Sequence, residues 1–228
     1  MKFDDFLVII PARKGSKGIP GKNKKKLNGK PLIEYTFDVA LKLFDIENIC
    51  VSTDDNDIQK LAEDKGIKVP FLRPENLSND KSSAREVVLH EITLRKKDYK
   101  SIIYLQPTSP LRSETELLEA IKLYNESLDM VVSVVESKSN PYFNLFEENS
   151  DGNLRPIINS KIKNRQECPK VYKYNGAIYI ININSLKKHE LSEFKKIKKY
   201  IMNPSNSIDI DDELDWFLAE QLLKLKTE

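Results

Sequence analysis

Glycine, cysteine and histidine are scarce in this chain of 228 residues, which holds seven, two and two of them. Cys50 and Cys168 stand alone without Cys-x-x-Cys spacing, so neither a zinc site nor a disulfide framework is signalled. His90 and His189 fall on presumed helices, and no Ser-His-Asp or Cys-His arrangement assembles around them. No apolar run approaches the roughly 20 residues that cross a bilayer, and Pro11 and Arg13 interrupt the N-terminal apolar stretch before it could act as a signal-peptide core. A cytoplasmic protein without a membrane partner is the expectation. Charge of one sign is lacking too. Charged residues make up 32% of the chain but sum to only +2, too little for a dedicated nucleic-acid binder.

The few glycines are not evenly spread. Gly15, Gly18 and Gly21 fall within the run Ile9-Ile10-Pro11-Ala12-Arg13-Lys14-Gly15-Ser16-Lys17-Gly18-Ile19-Pro20-Gly21-Lys22-Asn23, which carries four cations and meets no acid before Glu34. Glycines let backbone N–H groups approach an anion closely, and the cations Arg13, Lys14, Lys17 and Lys22 would neutralise it, so the run reads as a polyphosphate cradle. A solvated basic loop is the plainer alternative. The cradle is favoured by its place after an apolar stretch over 6–10, because open α/β sheets bind ligands beyond the carboxyl ends of their strands. The spacing is neither a Walker A loop, since Asn23 follows Lys22, nor the dinucleotide fingerprint, which needs two glycines one residue apart.

Elements alternate along the chain. Strands are predicted over 6–10, 48–52, 67–71, 101–105 and 130–135, with helices over about 31–44, 55–65, 83–97 and 114–124 between them. This pattern specifies an α/β fold, a mainly parallel sheet with helices on both faces, in one domain over 1–228. The pattern breaks over 136–173, where Asn140-Pro141-Tyr142-Phe143, 149–153 and Cys168-Pro169 supply turn signals. That stretch reads as an insertion. Its aromatics Tyr142, Phe143, Phe146 and Tyr172 need cover, from a partner subunit in a dimer arm or from a self-packed hairpin. A strand over 176–181 and a final helix over about 212–224 close the chain.

Polar residues that could do chemistry cluster late. In Ser207-Ile208-Asp209-Ile210-Asp211, polar and apolar residues alternate, so Asp209 and Asp211 would project from one face with Cα atoms roughly 6–7 Å apart. Two such carboxylates suit Mg²⁺, which is typically held by one or two carboxylates plus phosphate oxygens and water. Helix capping accounts for Asp211 or Asp212 but leaves Asp209 unexplained. Leu105-Gln106-Pro107-Thr108-Ser109-Pro110-Leu111-Arg112 closes a buried strand, and Gln106 there could recognise a sugar hydroxyl or carboxylate. Arg165 with Gln166, and Asn175 with Tyr179, are further polar candidates, although a surface salt bridge or a satisfied turn explains each equally well.

Taken in order, the basic loop, Leu72-Arg73-Pro74 leading to Asp80-Lys81-Ser82-Ser83, the Gln106 segment, Arg165-Gln166, Asn175-Gly176-Ala177-Ile178-Tyr179 and the 207–215 segment resemble the acylneuraminate cytidylyltransferases over nearly the whole chain. The resemblance implies a Rossmann-like nucleotidyltransferase, a homodimer with an interlocking insertion, and transfer of CMP from CTP to a nonulosonic acid with release of pyrophosphate. It implies that Arg13, Lys22 and Asn23, with Lys17 of the same loop, hold the triphosphate, that Arg73, Ser82 and Ser83 contact the nucleotide, and that Asp209 and Asp211 bind Mg²⁺. Gln106, Asn175 and Tyr179 would line the sugar pocket, and Arg165 would act near the reacting centre. Glu193-Phe194-Lys195-Lys196 stands where some sialate-specific members carry a double phenylalanine. Tyr142-Phe143 stands where they can place a cation, with Lys173 available instead. A modified nonulosonate such as legionaminate is therefore open beside sialic acid, while the octulosonate enzymes usually carry an acid near Gln106. A reading of another class, a non-catalytic nucleotide or nucleic-acid binder using Lys24 to Lys26, gives no role to the acidic pair.

Overall fold

The structure is a computed structural model that describes residues 3–15, 18–79 and 82–227. The strands are β1 Phe6–Pro11, β2 Lys26–Leu27, β3 Lys30–Pro31, β4 Ile49–Ser52, β5 Ser101–Tyr104, β6 Met130–Glu136, β7 Phe146–Glu148, β8 Leu154–Pro156, β9 Tyr172–Asn182 and β10 Ile197–Ile201. The helices are α1 Leu32–Leu43, α2 Asn56–Asp64, α3 Ala84–Thr93, α4 Glu114–Leu123, α5 Ile183–Lys188 and α6 Glu213–Thr227. Six strands form one sheet in the order β10-β6-β9-β5-β1-β4. β1 runs parallel to β4 and β5, and β10 runs parallel to β6, whereas β9 lies antiparallel between β5 and β6.

Successive residues of β1 feed opposite faces of the sheet, as the pleat requires. Val8 and Ile10 enter one core with Phe37, Ile103 and Ile178, while Leu7 and Ile9 enter the other with Val88, Ile102 and Ile181. Near-continuous apolar runs in β1, β4 and β5 follow from this two-sided burial. Helix starts are set by side chains: Asp55 accepts from the N–H of Asp57, and Ser83 with Glu86 and Ser113 with Glu116 form capping boxes.

A third apolar cluster lies outside the two sheet faces. Ile19 from the basic loop, Leu27, Leu32, Leu111, Ile210, Trp216 and Ala219 pack together there. Every one of them is less than a tenth exposed. This cluster joins segments nearly 200 residues apart in the chain, the glycine-rich loop and the stretch that carries the acidic pair.

Three departures from the sequence reading stand out. No strand forms over 67–71: Ile67 and Val69 are buried, but Pro70 lacks a donor and the Val69 carbonyl accepts from Gln59 Nε2 instead of a ladder partner. The strand expected over 176–181 begins earlier, at Tyr172, which pairs with Glu136. The insertion between β6 and β9 folds onto itself as the β7–β8 hairpin and a short 3-10 turn, Arg165–Glu167, yet Phe143, Phe146, Leu154 and Ile157 stay exposed. Among the described residues, no helix is long and apolar enough to cross a membrane.

Ile210 is fully buried between two carboxylate-bearing neighbours. Its replacement, Ile210→Ala, should lower stability by about 2–5 kcal/mol, the range for truncating a buried aliphatic side chain. Urea denaturation reads the effect directly.

Candidate active site

A cleft of about 490 Å³ opens beyond the carboxyl ends of β1 and β5. One wall is the basic loop, with Arg13, Gly15, Gly18, Lys22 and Asn23; the opposite wall is Gln106, Pro107 and Thr108 together with Asp209 and Asp211. Arg73, Leu77, Asn79, Ser82 and Ser83 close a third side, and Tyr104 forms part of the lining. The two groups farthest apart in the sequence thus share one cavity.

Contact between loop and acidic segment is direct. A Cβ placed on Gly18 would lie 2.0 Å from the Asp211 carbonyl oxygen, so only glycine permits the approach. Lys22, largely buried, donates from Nζ to the Ile210 carbonyl at 2.5 Å and sits 3.5 Å from Asp211 Oδ1. The neighbouring cations have other uses. Lys24 pairs with Asp55 and Asp57, while Lys25 pairs with Glu213 at 3.0 Å and lies 4.5 Å over the Trp216 ring. They brace the loop on its outer side, and neither lines the cleft. Asn23 shapes the turn by donating from Nδ2 to the Arg13 carbonyl. Lys17 lies outside the described residues.

Arg73 is buried, its Nε donating to Ser52 Oγ at 3.0 Å and its Nη2 to the Ser52 carbonyl at 2.5 Å. Burial lowers its pKa, while the neighbouring Tyr104 and Asp54 oppose that shift. A cation held this rigidly, with no carboxylate ion pair among the described residues, is suited to an anionic ligand. Ser82 Oγ donates to the Asn76 carbonyl, and Ser83 serves as the N-cap of α3, so both reach the cleft while also fixing its rim.

Asp209 is the unusual carboxylate. Its Oδ1 is buried and has no hydrogen-bond partner. Burial raises its pKa, and Asp211 and Asp215 add to the rise, while Thr108 and Lys22 act against it. Asp211, by contrast, is 81% exposed. Among the described residues no three His, Cys, Asp or Glu side chains cluster, so a cation here would have to draw most of its ligands from substrate and water oxygens. An orphaned carboxylate oxygen beside a second carboxylate fits a hard divalent cation.

The remaining expected residues divide. Gln106 lines the cleft and approaches Asp209 across Gly176, which has φ +74: a Cβ there would lie 2.6 Å from Asp209 Oδ2 and 2.7 Å from Gln106 Oε1. Asn175 does not line the cleft. It is buried, its Oδ1 accepts from Ser133 Oγ and the Ala177 N–H, and its Nδ2 donates to Ser207 Oγ. The cause is a bulge in β9. Val132 pairs with Tyr179 and Val134 with Tyr174, leaving residues 175–178 opposite Ser133 alone, and Asn175 replaces lost ladder partners. Tyr179 packs edge-on against Tyr104 at 6.1 Å behind the lining, its pKa pushed up to about 12 by burial and by Asp209. Arg165 and Lys173 do not line the cleft of their own chain. Arg165 is exposed on the insertion and reaches the Lys138 carbonyl at 3.5 Å, and Lys173 is exposed on β9. Sequence reasoning gave no role to Tyr104 or to Gly176, although a glycine inside a strand is itself a bulge signal.

The sequence profile described as cytidylyltransferase matches residues 7–199. The chain is 36% identical over 228 residues to the CMP-N,N'-diacetyllegionaminic acid synthase of Legionella pneumophila, covering 98% of each. It is 38% identical over 219 residues to the N-acylneuraminate cytidylyltransferase of Escherichia coli O18:K1:H7, covering 94% of this chain and 51% of that protein, so it spans about half the length of that relative. The fold is shared with CMP:2-keto-3-deoxy-manno-octonic acid synthetase complexed with CTP, at a TM-score of 0.68 and 19% identity, over 97% of this chain and 99% of the other.

Because the folded-state pKa of Asp209 is raised, its ionised form costs stability above that value, and the cost declines as pH falls from there toward the unfolded-state value. Asp209→Asn should accordingly keep or raise the melting temperature at pH 7. Thermal denaturation followed downward from pH 7 should show the difference from the natural protein shrinking as pH nears the ordinary carboxylate value of about 3.9.

Proposed function

Because the chain belongs to the cytidylyltransferase family, we propose that it activates a nonulosonic acid with CTP, forming the CMP-sugar and releasing pyrophosphate. The observation that carries this reading is the convergence of the glycine-rich loop and the Asp209–Asp211 pair on one cleft. In this reading Arg13 and Lys22, with loop backbone N–H groups, take the triphosphate, and Arg73, Ser82 and Ser83 take the rest of the nucleotide. Asp209 and Asp211 would hold the divalent cation, Mg²⁺ by its preference for carboxylate and phosphate oxygen. When bound, the cation supplies neutralisation of charge on the phosphate oxygens. The sugar's anomeric hydroxyl gives up its proton to solvent water and attacks the α-phosphorus, the bond from that phosphorus to the oxygen bridging the α- and β-phosphates breaks, and Lys22 and Arg13 stabilise the departing pyrophosphate. Gln106, beside Asp209, orients the sugar.

Among nonulosonic acids, a legionaminate-type sugar is supported by the end-to-end match to the Legionella protein and by the Glu193-Phe194-Lys195-Lys196 stretch. A purely electrostatic binder has no use for a buried carboxylate with an unpaired oxygen, which weighs against the non-catalytic reading. Self-association fits the exposed Phe143, Phe146, Leu154 and Ile157 of the insertion, an apolar surface that a second copy would cover. Arg165 and Lys173 would then serve the sugar end of a cleft through the dimer.

Pyrophosphate release from CTP, measured with a panel of nonulosonic acids with and without Mg²⁺, tests the proposal. Turnover with none of them would refute it. Asp211→Asn should lower kcat by about a hundredfold with the fold intact, as loss of one charge-stabilising contact does. Full activity in that variant would remove Asp211 from the site. Sedimentation at micromolar concentration should give a dimer, and a monomer would reject the arm as an interface.

A further inference from the structure

Arg112 is 3% exposed and, among the described residues, makes no ion pair of its own. Its Nη1 donates to the Ala177 carbonyl at 2.6 Å and to the Gln106 carbonyl at 3.2 Å, and its Nη2 donates to Thr36 Oγ1 at 2.7 Å. Its Nε has no partner, and Glu116 acts on it only at a distance. Burial draws the guanidinium down to about 9, still charged at neutral pH. Three neutral acceptors are a costly environment for a buried cation. What they have in common is position. Ala177 follows the glycine across which Gln106 and Asp209 meet, and its carbonyl belongs to the bulge of β9. Gln106 carries the side chain on the other side of that gap. Thr36, on α1, also donates to the Gln106 carbonyl at 3.4 Å and anchors both to the core.

We propose that Arg112 is a positioning residue, one that binds the backbones of Gln106 and Ala177 to α1 and so fixes the corner where the Gln106 side chain and Asp209 converge across Gly176. The assignment of that corner to sugar and metal rests on the proposed function; the tethering does not. A planar fork sets its N–H donors on separate nitrogens in fixed directions, so Nη1 reaches both carbonyls while Nη2 reaches the hydroxyl; the three donors of lysine all leave one nitrogen. The nucleotide end is built from other segments, the basic loop and the Arg73 stretch, whereas the hydrogen bonds of Arg112 among the described residues go to Gln106, Ala177 and Thr36. Loss of the tether should therefore loosen one end of the cleft only.

The test compares Arg112→Lys and the milder Thr36→Val with the natural protein. Mn²⁺ binding in the presence of CTP is followed by electron paramagnetic resonance, and KM values for CTP and for the nonulosonic acid are measured at saturating metal. Arg112→Lys should weaken Mn²⁺ binding and raise the nonulosonate KM by about tenfold each, as loss of support behind a ligand does. The CTP KM should stay within about twofold of the natural value. Thr36→Val should move the same two constants in the same direction by less, which keeps the proposal testable if Arg112→Lys does not fold. Natural constants with only a lower melting temperature would overturn it, as would an equal change in all three. If the natural protein binds Mn²⁺ and CTP but turns over no sugar, the functional reading fails while the Mn²⁺ comparison still decides the role of Arg112.

Discussion

The small apolar cluster of Ile19, Ile210 and Trp216 is the constraint on which the rest of the cleft depends. Electrostatics alone would not bring a basic loop and an acidic segment to a useful distance. Opposite charges attract, but in water they collapse into ion pairs or remain screened. Here apolar side chains on the opposite face of each segment are buried together, and this fixes the charged faces toward a shared cavity. Ile210 is the hinge of the arrangement, since its side chain enters the cluster while Asp209 and Asp211 turn to the cleft.

Within that frame the charges divide their labour. Lys24 and Lys25 are neutralised by Asp55, Asp57 and Glu213 and serve as struts. Lys22 and Arg73, buried and held by backbone carbonyls, face the cavity. The acidic side shows the same split: Asp215 receives N–H bonds from residues 211 and 212 at the start of α6, whereas Asp209 keeps an unpaired oxygen. Residues whose hydrogen bonds are complete hold the shape, and those left incomplete define where a ligand would sit.

Much of this was legible in the residues. Alternation in 207–211 put both carboxylates on one face, and the apolar run before Pro11 located the loop at a strand end. What could not be read was which polar residues the fold itself would consume. Asn175 looks like a pocket residue until the bulge opposite Ser133 is known, because its side-chain partners Ser133, Met202 and Ser207 lie 27 to 42 positions away. Lys24 and Lys25 look like phosphate ligands until Asp57 and Glu213 are seen beside them. Val69 illustrates the converse failure: an apolar, half-extended segment is a strand only if a neighbour offers its ladder, and Pro70 with Gln59 prevents that. Local pattern specifies direction and burial, while long-range pairing decides employment.

The reversed direction of β9 has a further consequence. Because it returns antiparallel beside β6, the insertion begins and ends on paired residues, Glu136 opposite Tyr172. Its two ends are therefore clamped whatever lies between them, and the sheet does not register how long the excursion is. Closing such a loop costs only about 0.6 kcal/mol more for each doubling of length. The excursion can lengthen, shorten or change composition at little thermodynamic cost, which makes it the part of this architecture freest to diverge.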